Sequence, residues 1–308
     1  MSSTPNTAGG HNNTASPLAD VSLLERKALT QTNRKMTITW VDDKTSNVHQ
    51  ITDIPLALFL AYCPAAARSL ARGRGNDSPG AQSRYDLGRV SHLLPGAGRY
   101  VIGALVKSCD TPDAMPPAYH EPANLLRHIQ CLAALKKMGI AHCVQYAWRG
   151  ATMDAVRAAG RVTAEQLIFF YNAFNCGRGG EPMLLKHLIY SVVYAELTDE
   201  VESPDTLAIN RFAYGSQPAL AVMKKSAERT VEKKLMDRQA MEEQRAERER
   251  KRREYRERQQ AREAAQQKKR AQLEQARNGE RALTEGDVRS MGTRDACPRF
   301  AKVSNKLR

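Results

Sequence analysis

Four residues near the middle of the chain could ligate a metal. His128 and Cys131 are three apart, hence on one face of a helix, and His142 and Cys143 lie just beyond. Imidazole and thiolate are zinc's usual ligands. Zinc modules, however, pair their ligands two to four residues apart in both halves, and H-x2-C-x10-H-C does not. Cys131 also sits inside a leucine-rich stripe, where a thiol packs as a small hydrophobe. Helix packing is therefore the expectation, with no metal and no other cofactor. The stretch CGRGGEP (176–182) is glycine-rich ahead of an apolar run. A phosphate loop would place Lys and Ser or Thr after the glycines, to meet phosphate and magnesium. Glu181 and Pro182 stand there instead, and a carboxylate repels phosphate, so a turn between helices is expected. No Gly-x-Ser-x-Gly elbow and no His-Glu-x-x-His occurs. His92 and His187 are isolated. No catalytic residue is assigned, and the chain reads as non-enzymatic.

The remaining chemistry is electrostatic. Residues 245–270 are crowded with Arg, Lys and Glu, and the whole chain carries a formal charge of +14. A coiled coil needs apolar a and d positions over three or four heptads. Between Met241 and Leu273 the apolar residues are essentially alanines and Tyr255, so that seam is missing. A DNA-binding leucine zipper is excluded likewise, because Leu273 and Leu283 are ten apart. Glu247–Lys251, Glu249–Arg253 and Glu254–Arg258 stand at i,i+4. The reversed pairs Arg245–Glu249, Arg250–Glu254 and Arg253–Glu257 interleave with them. Each pair contributes roughly 0.2–0.5 kcal/mol, which repeated can hold a solvated single helix. Within it, Arg250, Lys251, Arg252 and Arg253 form a candidate import signal. The surplus of positive charge also suits weak nucleic-acid contact through phosphates.

These features need a scaffold. Residues 1 to about 34 are rich in Ser, Thr, Asn and Gly and read as disordered. Met36–Val41 and Val48–Ile51 alternate apolar and polar around DDKTSN, a hairpin pattern. Asp53 and Pro55 look like the start of a helix that Pro64 ends near Tyr62. AAARSLA reads as a second short helix, residues 72–84 as a loop, and RYDLGRV as a third strand. PGAGRYVIGALVKSC places Tyr100, Val101 or Ile102, Leu105 and Val106 near one helical stripe. A Pro-rich connector follows, then helices: one with Leu125, Leu126, Ile129, Leu132 and Leu135 at helical spacing up to Gly139, and one or two across AHCVQYAWRGATMDAVRAAG. The next opens on a Thr163-x-x-Gln166 capping box, and another covers 181–197. From Pro218 to about Arg281 the residues are good helix formers, roughly 90 Å if continuous.

The six cysteines form no CxxC pair, and the N-terminus lacks a charged-then-apolar signal. The longest apolar run, IPLALFLAYCPAAA, is about 14 residues against the roughly 20 of a membrane span. An intracellular chain with reduced thiols and no membrane partner is expected, in nucleus or cytoplasm.

MTITWVDDKTSNVHQI followed by DIPLALFLAYCPAAARSLA resembles the start of a BTB/POZ domain: a hairpin, then a helix pair. Cys63-Pro64 occupies the place of the family's Ser-Pro junction, and Ala65 or Ala66 stands where an aromatic is usual. YDLGRVSHLLPGAGRYVIGALVKS is similar to the family's next strand and helix, and LLRHIQCLAALKKMGIAHCVQYAW to its following helix pair. VTAEQLIFFYNAFNCGRGGEPMLLKHLIYSVVYAEL is similar to the helical extension of divergent fungal members. The resemblance spans about residues 36–200 and implies a protein-interaction fold without catalysis. Leu56 to Leu60 replace the acidic and His positions of the family's first helix, which puts any ligase-adaptor contact in doubt.

The expectation is thus an α+β chain. A disordered segment (1–34) precedes a BTB/POZ-like domain with helical extension (35–200). A linker (201–217), a long charged helix (218–281) and a disordered basic tail (282–308) follow. Its function is to bind a protein partner or itself, with the basic helix as spacer or localisation element. The alternative is a nucleic-acid-associated factor acting through 245–270.

Overall fold

The computed structural model describes residues 15–73, 83–121, 124–199 and 203–277. The fold is α+β. β1 (Lys35–Asp42) and β2 (Val48–Pro55) form the expected hairpin, and β3 (Ser83–Val90) adds parallel to β1, giving the order β2-β1-β3. β1 lies between its neighbours, and the side chains of Met36, Ile38 and Trp40 are fully covered. An extra residue interrupts the ladder on each side of β1. Met36 pairs with Ile54 and Ile38 with Ile51, while Asp53 takes a left-handed φ of 62°. Thr39 pairs with Asp86 and Val41 with Arg89, and Gly88 sits at φ 69°. Such bulges bend a strand and sharpen its twist. Asp53 is therefore a bulge residue and not a helix cap. The cap is Pro55, which makes no side-chain bond; the Leu56 amide instead donates to the Arg34 carbonyl at 3.1 Å.

α2 (Leu56–Tyr62) stops before Pro64, as Pro requires, and α3 (Pro64–Gly73) restarts. The span read as a loop, 72–84, is shorter at both ends: α3 runs to Gly73 and β3 begins at Ser83, with 74–82 outside the described residues. α4 (Pro95–Ser108) buries Val101, Ile102, Ala104 and Leu105. α5 (Leu125–Lys137) buries Leu125, Ile129, Leu132 and Leu135, whereas Leu126 is half-buried. α6 (His142–Ala159) is one helix, not two. α7 (Ala164–Ala173) opens on the Thr163–Gln166 capping box, with both reciprocal bonds formed.

CGRGGEP is the helix–helix turn expected, with a 3-10 turn (Cys176–Arg178) leading to α8 (Pro182–Thr198). A methyl group on Gly180 would lie 1.8 Å from the Phe174 carbonyl oxygen, so only glycine fits there. Glu181, at φ 49°, is held by Arg149 of α6, Nε to Oε2 at 2.9 Å, and by Lys136 of α5 at 3.3 Å. The carboxylate that argues against a phosphate loop is an ionic tie among three helices.

Two segments depart from expectation. Residues 15–34, inside the segment read as disordered, contain α1 (Leu23–Thr30), opened by a Ser22–Glu25 capping box. Ser16, Leu18 and Arg26 of this arm are buried. The Arg26 guanidinium donates to the carbonyls of Ser108, Thr111 and Pro112 at the C-terminal end of α4, where the helix dipole favours a cation. Residues 1–14 lie outside the described residues. The segment read as a linker holds α9 (Pro204–Ser216), capped by Ser203 and burying Thr206, Ile209 and Ala213. The Asp205 carboxylate accepts from the Ala164 amide at 2.9 Å, fixing α9 to the start of α7.

The last helix, α10 (Pro218–Arg277), covers the described part of the predicted charged helix; 278–281 and the basic tail 282–308 lie outside the described residues. The chain divides into two compact units between Lys233 and Lys234. The first sixteen residues of α10 thus belong with the helical core, not with the charged region. They bury Leu220, Lys224, Ala227 and Val231 at helical spacing.

Leu132 is 3% exposed. Leu132→Ala should cost about 2–5 kcal/mol, through lost transfer energy and a residual cavity. Leu126→Ala should cost clearly less. Urea unfolding of both variants checks the orientation of α5.

Candidate interaction surface

Among the described residues, His128, Cys131, His142 and Cys143 form no metal-holding group. His128 is buried on α5 and its Nε2 lies 3.1 Å from the Glu121 carbonyl oxygen. Cys131 is fully buried, and burial pushes its thiol up to about 11. His142 is exposed at the start of α6 with Cys143 half-buried beside it. Among the described residues no group of three or more His, Cys, Asp or Glu is placed to hold a metal. Burial pushes the Cys176 thiol up to about 12, assisted by the Glu181 charge. The Cys63 thiol, raised by burial, donates to the Met138 carbonyl at 3.1 Å. These thiols are protonated at neutral pH and act as packing atoms. His92 packs edge-on against Phe169 at 5.5 Å, and burial lowers its pKa, as it lowers that of His128.

The surface that does stand out is on α8. A helix that is apolar all round belongs in a core, and α8 buries Leu184, Leu185, Leu188, Ile189, Val192 and Val193. Its outer side is apolar too. Met183, Tyr194 and Leu197 are 62%, 44% and 39% exposed. Met183, Lys186, Tyr190, Tyr194 and Leu197 follow steps of three and four residues, so they form one stripe along the helix. The Lys186 ammonium lies 5.8 Å from the centre of the Tyr190 ring. The stripe borders a groove of about 280 Å³ between α8 and the first turns of α10, lined by Lys186, Ile189 and Tyr190 and by Met223, Ala227 and Thr230. Leu207 and Tyr214 of α9 are also exposed, at 51% and 57%.

Lys224 sets the spacing of this groove. Its Nζ is 2.6 Å from Glu196 of α8 and 2.9 Å from Glu228 one turn along α10, and 5.9 Å from the centre of the Tyr214 ring. The lysine side chain is 6% exposed. Burial works against its charge, but hydrogen bonds and attraction from the two carboxylates outweigh burial and raise its pKa. A buried charge is tolerated only when so paired.

The candidate import residues Arg250, Lys251, Arg252 and Arg253 are all exposed on α10. Lys251 pairs with Glu247 at 2.7 Å and Arg250 with Glu254 at 3.9 Å; the other pairs expected in 245–258 do not close among the described residues. The Lys251 hydrogen bond and charge hold the Glu247 carboxyl below its usual range.

Lys224→Ala removes the buried cation shared by Glu196 and Glu228 and should cost about 3 kcal/mol. Because the folded pKa of Lys224 is raised, its contribution is complete below the unfolded value near 10.5 and fades as pH rises through the folded value. The stability gap between wild type and Lys224→Ala, measured by urea unfolding, should therefore be constant from pH 7 to 9 and shrink above pH 10.5.

No family model, no curated protein and no solved structure matches this chain.

Proposed function

We propose that the chain is a non-enzymatic protein-interaction module of BTB/POZ-like type, with its charged helix serving as spacer or localisation element. The observation that carries this reading is the outward apolar stripe of α8 beside its groove. Isolated exposed apolar residues are ordinary on a protein surface. Met183, Tyr190, Tyr194 and Leu197 aligned on one helix face with Lys186 among them, next to a concave wall, have the aromatic and Met content of a protein–protein interface. A partner helix with apolar side chains at matching three- and four-residue steps fits such a groove. The element order also supports the resemblance. Hairpin, helix pair split at Cys63-Pro64, strand and helix follow one another as the BTB/POZ pattern implies.

No helix among the described residues is long and apolar enough to cross a membrane. Nuclear delivery through Arg250, Lys251, Arg252 and Arg253 is the localisation this reading favours, because all four side chains are exposed on a regular helix.

Tyr194→Glu and Leu197→Asp place charges on the stripe, at positions 44% and 39% exposed. Each should weaken partner capture from cell extract more than tenfold while the chain stays folded, checked by circular dichroism at the assay temperature. Light scattering separates self-association from binding of another protein: a dimer that these variants dissociate identifies the partner as a second copy. Unchanged capture and unchanged mass in both variants would remove the stripe from the interface. For localisation, replacing Arg250, Lys251, Arg252 and Arg253 with Ala should lower the nuclear fraction of a tagged full chain, read by microscopy.

A further inference from the structure

The charge on α10 is not evenly spread around the helix. Twelve Arg and Lys residues lie between Arg245 and Arg270. At 3.6 residues per turn, nine of them fall within an arc of about 160°. The three outside it are Arg250, Arg253 and Lys268. Of the five glutamates in this stretch, Glu247, Glu249, Glu254 and Glu257 lie outside the arc and only Glu263 lies within it. The centre of the arc runs through Arg248, Arg252, Tyr255 and Arg262, with Gln259 and Gln266 between them. All these cations are exposed. The ion pairs that form here use Lys251, near the edge of the arc, and Arg250, outside it. A simple solvated helix, laced by i,i+4 pairs, has no reason to sort its charges by side.

We infer that this basic face of α10 is a docking surface for the phosphate backbone of double-stranded nucleic acid, read by charge and not by base sequence. The face is a straight cationic strip roughly 38 Å long, at 1.5 Å rise per residue. A duplex presents a matching linear array, one phosphate charge per about 1.7 Å of its axis. Other polyanions fit less well. A helix that settles on an anionic membrane needs an apolar face to sink into the headgroups. Here the only apolar side chains are Ala246, Ala261, Ala264, Ala265 and Tyr255. Single-stranded binding draws on several aromatic side chains that stack with bases. Tyr255 is alone in the stretch, and its hydroxyl accepts from Gln259 at 2.8 Å.

Two variants of the full chain with equal net charge test the face. Arg248, Arg252 and Arg262→Ala removes three cations from its centre. Arg250, Arg253 and Lys268→Ala removes three from the opposite side. Alanine keeps helix propensity high, so both should retain their helicity, checked by circular dichroism. Binding is measured against a 30-base-pair duplex of arbitrary sequence over a salt series. Wild type should bind with log affinity falling linearly in log salt. The first variant should lose at least tenfold in affinity at 0.1 M salt and flatten the slope by about 2.7, at roughly 0.9 per phosphate contact. The second should change affinity less than threefold with the slope intact. Equal losses in the two variants, or no duplex binding by wild type at 0.1 M salt, would refute the inference. So would tighter binding, at the same salt, to a single-stranded oligonucleotide or to phosphatidylserine-rich vesicles.

Discussion

The hydroxyl of Tyr62 is the point on which the folded core turns. Tyr62 is the last residue of α2 and fully buried. Its Oη lies 2.9 Å from Ser108 Oγ at the end of α4 and 3.2 Å from Ser16 Oγ in the N-terminal arm, and it donates to the Ala114 carbonyl of the Pro-rich connector. Its own backbone carbonyl accepts from the Ala141 amide at 2.7 Å, just ahead of α6. One side chain thus fixes the arm, two helices and the connector, and through its backbone the entry to a third helix. Buried polar groups in such a network must all be satisfied together, since a single unmade bond costs the desolvation of that group. This explains why the arm is ordered despite its composition: Ser16 donates to the Ala114 carbonyl of the connector, and Arg26 donates to carbonyls at and just beyond the end of α4.

From that junction the apolar core spreads in two directions. Toward the sheet, Phe59 meets the Tyr85 ring of β3 at 6.1 Å, and Met36, Ile38 and Trp40 of β1 are fully buried. Toward the later helices it runs through α5, whose inner face is covered along its length, to α7 and α8. The ionic tie at Glu181 and the buried ammonium of Lys224 then fix how α8 meets its neighbours. The outer side of α8 is left with Met183, Tyr194 and Leu197 facing water in line with Lys186. On the proposed interface, rigid support beneath the stripe would lower the ordering cost of binding.

Much of this was legible because it is local. The Pro64 break, the alternation in β1, the Thr163 capping box and the missing heptad seam of α10 are each set by a few neighbouring residues. The two misread segments carried local signals as well. Ser22-x-x-Glu25 is a capping box, and Ser203-Pro204 is an N-cap followed by Pro at the first helical position. Polar composition masked both. What could not be read is what depends on residues far apart: Arg26 reaching the end of α4, Glu181 between Lys136 and Arg149, Lys224 against Glu196. The candidate surface was half legible. The all-round apolarity of α8 is plain in the sequence, but only packing reveals that Met183, Tyr194 and Leu197 are the side left uncovered. The sidedness of the basic helix needs nothing more than helical periodicity.

The division at Lys233 bears on how the chain responds to heat. Residues 234–275 are helical without a buried apolar face, so no cooperative core holds them. Their helix unwinds gradually, turn by turn from its end, over a broad temperature range. The unit that ends at Lys233 has a closed core and melts in a narrow range. Calorimetry on the full chain therefore reports an enthalpy and a heat-capacity step that belong to the first unit. Normalised by the length of the whole chain, both fall short of the values per residue expected for a globular protein. Far-ultraviolet ellipticity, which counts every helical turn, should decline well before the calorimetric peak and follow a different curve. A single Tm describes the core and not the protein.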